Sequence, residues 1–253
     1  MGELEGQVAI VTAAAGAGIG QAVARRFAAE GAEVVLTDAH ARRVQELAQA
    51  MAGDYGREFL ALEVDVRNSG QVAQMAETAL KRYGRIDILV NNAGINRLEP
   101  VWEMSDETWE LIIGVNLTGT FCCTRAVLPA MIERKKGAIV NLASSVGWMA
   151  SDEGEAHYCA AKAGVMAFTR AVAAEVGKHG VRANAIAPGL IHNPFLDRIY
   201  APEYFEGWKR RSLLGRLGKP EDVADLVMFL ATDRSSFITG EVFCISGGAY
   251  VRA

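Results

Sequence analysis

The chain has 253 residues, 51% of them hydrophobic and 22% charged, with a formal net charge of −4 at pH 7. That length and apolar fraction suffice for one large α/β core, and the slight acidity excludes a surface drawn as a whole to nucleic acid or anionic membrane. Its four cysteines (Cys122, Cys123, Cys159, Cys244) show neither Cys-x-x-Cys spacing nor a histidine partner, so they read as buried thiols in a reduced cytoplasm, with no disulfide frame and no metal site.

The amino terminus carries no basic, apolar leader, and no uninterrupted apolar run of about 18 residues occurs. A soluble, cytoplasmic protein that does not span a membrane is expected. In chain order, residues 7–12 form an apolar strand followed by a glycine-rich turn to Gly20 and a helix over 20–30. A strand at 33–37 ends at Asp38, and a helix covers 41–51. The strand at 59–64 ends at Asp65-Val66 and leads to a helix over 69–83. The strand at 86–90 runs into Asn91-Asn92-Ala93-Gly94, and one long helix covers 106–133. Strands at 138–142 and 182–186 bracket the helix bearing Tyr158, and a last helix, 220–230, feeds a strand at 241–245.

Seven β-rich runs alternating with helices predict a doubly wound α/β fold, a parallel sheet with helices on both faces. The whole of 1–253 is expected to be one domain. Residues 1–135 would be mainly its cofactor half and 136–253 its catalytic and substrate half. The irregular stretch 190–214, rich in aromatic residues, has the length of a lid, although extra packing or a subunit contact would explain it too.

Ligands of such sheets lie beyond the carboxyl ends of the strands. There the turn Thr12-Ala13-Ala14-Ala15-Gly16-Ala17-Gly18-Ile19-Gly20 can bring backbone N–H groups to a pyrophosphate at a helix N-terminus, with Thr12, Gly16, Gly18, Ile19 and Gly20 as candidate contacts. Asp38, 18 residues after Gly20, is placed to accept hydrogen bonds from an adenosine ribose and to repel a 2′-phosphate, which favours NAD over NADP. Arg42 and Arg43 would soften that preference, and a helix cap is the plainer reading of Asp38. Asp65, Val66, Asn92, Ala93, Gly94, Pro188, Gly189 and Ile191 complete the candidate cofactor rim.

Tyr158 and Lys162 stand four residues apart and share a helix face, so a phenol and an ammonium can act on one bound molecule. A free tyrosine ionises near pH ~10, and a nearby cation would bring it down toward working range.

These motifs together resemble the short-chain dehydrogenase/reductase family, in its 3-oxoacyl reductase-like branch, over essentially the whole chain. The resemblance implies a seven-stranded Rossmann sheet and a homotetramer. It implies that Tyr158 is the acid/base, that Lys162 holds the nicotinamide ribose and lowers the tyrosine pKa, and that Ser145, thirteen residues before Tyr158, binds the substrate oxygen. Ser144 is the rival serine. Asn116 would hold a helix open around water that relays protons. The chain departs from the family pattern where Ala13 replaces the first glycine of a turn one residue longer, where Asn193 stands for the usual threonine, and in the acidic stretch 152–157.

The implied activity is an NAD-dependent interconversion of a secondary alcohol and a ketone on a 3-hydroxyacyl-CoA or similar hydrophobic catabolic substrate. Steroid or steroid-fragment, sugar and cyclic alcohols stay open. Trp148, Glu155 and Phe195 are the candidate substrate contacts, with core packing as the alternative for Trp148. An NAD sensor without catalysis would be expected to have lost some of Ser145, Tyr158 and Lys162, and all three are present.

Overall fold

The computed structural model describes residues 2–194, 196–198 and 200–251. Its centre is a seven-stranded parallel sheet of order β3-β2-β1-β4-β5-β6-β7. The strands are β1 (Val8–Val11), β2 (Glu33–Asp38), β3 (Leu60–Glu63), β4 (Ile88–Asn91), β5 (Gly137–Leu142), β6 (Val181–Pro188) and β7 (Val242–Ile245). Helices α1 (Ile19–Ala29), α2 (Ala41–Tyr55) and α3 (Ser69–Tyr83) follow the first three strands. α4 (Asp106–Ile113) and α5 (Gly119–Arg134) follow β4, α6 (Ala156–Val176) precedes β6, and α7 (Pro202–Arg211) and α8 (Pro220–Ala231) precede β7.

One apolar core joins α1, α2 and α8 to a face of the sheet, through Phe27, Leu47, Met51 and Val227 among others. The second joins α3, α5 and α6 to the opposite face, through Met75, Cys123, Met131 and Val176. This two-sided burial is why β1, β4 and β5 are apolar without alternation. Strand order reverses between β1 and β4, so the crevice for a ligand opens above the ends of those two strands.

A polar ladder crosses this sheet inside the second core. Asn91 Nδ2 donates to Thr124 Oγ1 at 3.0 Å and to Asn141 Oδ1 at 2.8 Å, and Asn141 Nδ2 donates to Thr169 Oγ1 at 2.9 Å. Buried amides of this kind are stabilising only when paired, so the ladder sets α5 and α6 against the strand ends in one register.

Two expectations of local structure change. The helix expected over 106–133 is broken by a π-turn at Gly114–Thr118. The stretch 190–214 is not wholly irregular, because α7 forms within it, with Pro202 at its start and three basic residues in its last turn. The run Asp106–Arg134 is long and apolar enough on average to cross a membrane, although no stretch of it is uninterrupted. Here it packs on the sheet, and it buries Asn116, Thr120 and Thr124 along with its apolar face. Of the cysteines, Cys122 and Cys123 are buried as expected, whereas Cys159 is half-buried and Cys244 exposed.

Candidate active site

The turn after β1 is held from three sides. Thr12 Oγ1 accepts from the backbone N–H of Asn92 and Ala93, both at 2.9 Å, and Asn92 Nδ2 donates to the carbonyls of Thr12 (2.9 Å) and Ala13 (3.1 Å). Asp38 accepts from Ala15 N–H at 3.2 Å and from His40 N–H at 3.0 Å. Burial raises its carboxyl above the ordinary value, against the opposing pull of Arg43 and the Ala15 amide. Asp38 thus braces the glycine-rich turn while sitting where a ribose would lie. Arg42 pairs with Glu46 and Arg43 with Asp38, so each already has an acidic partner.

Ala13, which stands at the family's first glycine, sits at φ +49°, a left-handed conformation that costs an L-residue roughly 1–2 kcal/mol. Ala13→Gly is therefore expected to stabilise the protein by about 1 kcal/mol, after the greater chain entropy of glycine is subtracted. Thermal unfolding should shift upward by roughly 2–4 °C. An unchanged or lower midpoint would contradict strain at this position.

The glycines have different jobs. A Cβ on Gly20 would lie 2.5 Å from Asn92 Nδ2 and closer still to the Ala13 carbonyl oxygen, so only glycine fits under the turn. At Gly16 a Cβ would meet nothing within 4 Å, and at Gly18 only the Asn193 amide at 3.9 Å. No side chain caps the start of α1. Open space over Gly16 and Gly18 beside uncapped helix N–H groups fits a pyrophosphate. Ile19, the first residue of α1, packs against the core.

The rest of the expected rim is mixed. The Asp65 carboxylate is engaged by Arg67, with Arg67 Nε at 3.0 Å, and this pairing holds its pKa below the ordinary value. Val66 is buried under Gly119. Gly189 N–H donates to the Ile245 carbonyl at 3.0 Å, and a Cβ there would strike Ser246. Ile191 is buried against Gly218, so only its backbone is suited to meet a ligand.

The catalytic group forms where α6 and the π-turn meet the ends of β4 and β5. Asn116, in the π-turn and fully buried, donates from Nδ2 to the carbonyls of Ile95 (2.8 Å) and Ile112 (2.9 Å). Its Oδ1 has no hydrogen-bond partner. Lys162 Nζ donates to the Leu142 carbonyl at 2.8 Å and lies 5.4 Å from the Tyr158 ring centroid. A Cβ on Gly94 would sit 2.8 Å from Asn116 Oδ1 and 3.2 Å from Lys162 Nζ, so both polar atoms face one small space.

Burial pushes the Lys162 ammonium down to about 8. It also pushes the Tyr158 phenol upward, with the Glu155 carboxylate next in effect. Desolvation of the phenolate is the largest influence on Tyr158.

Between the two candidate serines the geometry favours Ser144. Ser144 is the serine near enough to the Tyr158 phenol to draw its pKa down. Ser145 is 1% exposed, and its hydroxyl has no partner. The backbone at Ser144 is still extended, so adjacent side chains project to opposite sides and only one can face the crevice. A fixed count back from Tyr158 could not discriminate, because the loop between has no set length. Ser144→Ala is expected to lower kcat about 10²-fold. Ser145→Ala should leave kcat within a few-fold, and the reverse order would restore Ser145.

Of the three expected substrate contacts, Phe195 lies outside the described residues. Trp148 stacks on Tyr250 at 5.4 Å and packs against a small core with Val165 and Met166. Glu155 is 8% exposed, and its oxygens accept from Asn96 Nδ2 and Ser151 Oγ, each at 2.7 Å. It is thus tied into the wall of the crevice, a role nothing local in the sequence signals, since Asn96 is 59 residues away.

The stretch expected to be a lid carries stacked rings. Tyr200 and Tyr204 lie 4.1 Å apart, and Phe205 packs edge-on to His192. Burial raises the Tyr200 and Tyr204 phenols, and Tyr158 is close enough to add to the shift at Tyr200. A cavity of about 650 Å³ adjoins this cluster, lined by His192, Tyr200, Phe205, Lys209 and Lys219 among others.

Residues 13–250 match the protein family described as enoyl-(acyl carrier protein) reductase. A (5R,7aS)-5-hydroxy-7a-methyl-1-oxo-2,3,5,6,7,7a-hexahydro-1H-indene-carboxyl-CoA reductase from Mycobacterium tuberculosis is 43% identical over 97% of this chain and 94% of its own. The (2S)-[(R)-hydroxy(phenyl)methyl]succinyl-CoA dehydrogenase subunit BbsD of Thauera aromatica is 41% identical, over 97% of each chain. A 3-oxoacyl-[acyl-carrier-protein] reductase FabG of Thermotoga maritima is 41% identical over 98% of this chain and 99% of its own. Among solved structures, a short-chain type dehydrogenase/reductase from Mycobacterium marinum superposes with a TM-score of 0.92 at 34% identity, covering 97% of this chain and 96% of that one.

Proposed function

The chain belongs to the short-chain dehydrogenase/reductase family and is an alcohol/ketone oxidoreductase of nicotinamide chemistry, and from that premise we propose that it uses NAD to interconvert a ketone and a secondary alcohol on an acyl-CoA thioester with a bulky apolar body. The observation that carries the reading is the half-buried Tyr158 over the buried Lys162, near Ser144, at the strand ends next to a glycine turn open to a pyrophosphate.

The nicotinamide group supplies or accepts the hydride when bound. The residues of this chain manage the proton. Ser144 Oγ and the Tyr158 hydroxyl converge on the substrate oxygen, and in reduction Tyr158 gives that oxygen its proton. Lys162, anchored on the Leu142 carbonyl, places an ammonium behind the tyrosine as negative charge develops there. Asn116 Oδ1, facing the same space as Lys162 Nζ, is positioned to hold a water that returns the proton.

The choice of NAD rests on Asp38 and on the prior engagement of Arg42 and Arg43 with acids, which leaves a 2′-phosphate facing a carboxylate. The substrate class rests on two supports. Relatives from Mycobacterium tuberculosis and Thauera aromatica act on CoA esters carrying rings. The stacked Tyr200 and Tyr204 rings, of which Tyr200 is close enough to feel Tyr158, suit an apolar body.

The test compares NADH and NADPH oxidation with acetoacetyl-CoA, a ring-bearing 3-oxoacyl-CoA and the matching free ketone. The reading expects NADH and the ring-bearing thioester to give the highest kcat/KM. Preference for NADPH would overturn the cofactor assignment, and equal use of the free ketone would overturn the thioester.

A further inference from the structure

We propose that Glu155 is a positioning residue of the proton-transfer site: its buried carboxylate clasps the loop after β4 to the loop before α6 and, held one turn ahead of Tyr158, opposes negative charge on the Tyr158 oxygen. The inference rests on the reading of Tyr158 as the proton-transferring group. It does not depend on which substrate the enzyme takes.

The clasp has two parts. Glu155 receives Asn96 Nδ2 from the loop after β4 and Ser151 Oγ from its own loop, each at 2.7 Å. Beside it, Glu99 N–H donates to the Gly154 carbonyl at 2.7 Å. Gly154 has φ +76°, and a Cβ there would come within 2.9 Å of the Glu99 backbone, so the loops meet too closely for a side chain. Both loops lie beyond the carboxyl ends of β4 and β5.

A carboxylate at 8% exposure is weakly screened, so its charge is felt across the first turn of α6. The charged and titratable groups around Tyr158 are Glu155, Cys159 and Lys162 on its own helix, and Tyr200 and Tyr204 from the lid. His157, Glu99 and Glu153 lie in the same neighbourhood, with the His157 imidazole pushed down by burial. Lys162 Nζ lies over the Tyr158 ring at 5.4 Å from its centroid, and Glu155 is the carboxylate that acts on the phenol. Burial and, after it, the Glu155 charge disfavour the Tyr158 phenolate. Removing the charge of Glu155 while keeping its shape should remove the second of these effects.

Glu155→Gln keeps an acceptor for Asn96 and offers a donor to Ser151, so the clasp can persist without the charge. In NAD-loaded protein, Tyr158 phenolate is read as the ultraviolet difference from the matching Tyr158→Phe protein, at one alkaline pH where both remain folded. The expected result is a phenolate-to-phenol ratio about tenfold higher in Glu155→Gln, with the midpoint of the pH–rate profile lower by about one unit. Asn96→Ala keeps the charge and loosens the clasp, so KM should rise several-fold while that midpoint stays in place. Glu155→Asp, charged on a shorter arm, should behave like Asn96→Ala. An unmoved phenolate ratio in Glu155→Gln, or a midpoint that moves equally in Asn96→Ala, overturns the proposal. The phenolate reading requires no turnover, so failure of the thioester assignment leaves it intact.

Discussion

Tyr158→Phe is expected to lower turnover by roughly 10³-fold, inside the 10²–10⁴-fold range typical of a lost general acid. NADH affinity should stay within a few-fold of the parent. The substitution removes one oxygen and keeps the ring, which packs 5.4 Å from Lys162 Nζ. Lys162 keeps its bond to the Leu142 carbonyl, so the cofactor side of the site is not disturbed. Steady-state NADH oxidation and NADH fluorescence titration measure the two quantities separately. Near-normal turnover with normal NADH binding would remove Tyr158 from the mechanism and with it the whole proton path through Lys162 and Asn116.

Gly20→Ala and Gly18→Ala should separate the fold from the cofactor. At Gly20 the added Cβ would run into the Ala13 carbonyl and the Asn92 amide, the same two groups that hold the turn closed. Neither is the free end of a flexible chain, so the backbone must shift. A loss near the upper end of the 1–3 kcal/mol seen for overpacking is expected, together with NADH binding weakened at least tenfold. At Gly18 the backbone has φ −125°, which any L-residue adopts, and the Cβ would enter open space. Gly18→Ala should therefore unfold at the parent temperature but bind NADH poorly, because the methyl group occupies the pyrophosphate position. Thermal unfolding without cofactor and NADH titration report the two effects. Full NADH affinity in Gly18→Ala would place the pyrophosphate elsewhere.

Much of the architecture was legible in the chain. The strand positions followed from apolar runs such as 86–90 between helical patterns, and α3 spans 69–83 as its periodicity predicts. Helix starts and stops also followed local chemistry: Asn68 caps α3 through the N–H groups of Gly70 and Gln71, and Gly56 and Gly84 end α2 and α3 in the left-handed conformation. The candidate acid/base pair was equally legible, because a four-residue interval on a helix fixes a shared face whatever packs around it. What escaped was less regular. The π-turn at Gly114–Thr118 widens a helix whose apolar pattern runs on through it, and α7 has an aromatic, basic composition that masks its helical period.

The sequence by itself determined the parallel sheet, the glycine turn closing on Asp38 and the Tyr158–Lys162 face, since each depends on residues close together in the chain. Only the tertiary structure decided which serine lies near Tyr158, that Ala13 takes a left-handed turn and that Glu155 is bound to Asn96. These three are outcomes of burial and of contacts between distant segments. Desolvation and the direction of a side chain at a strand end have no expression until the loops after β4 and β5 are brought against α6.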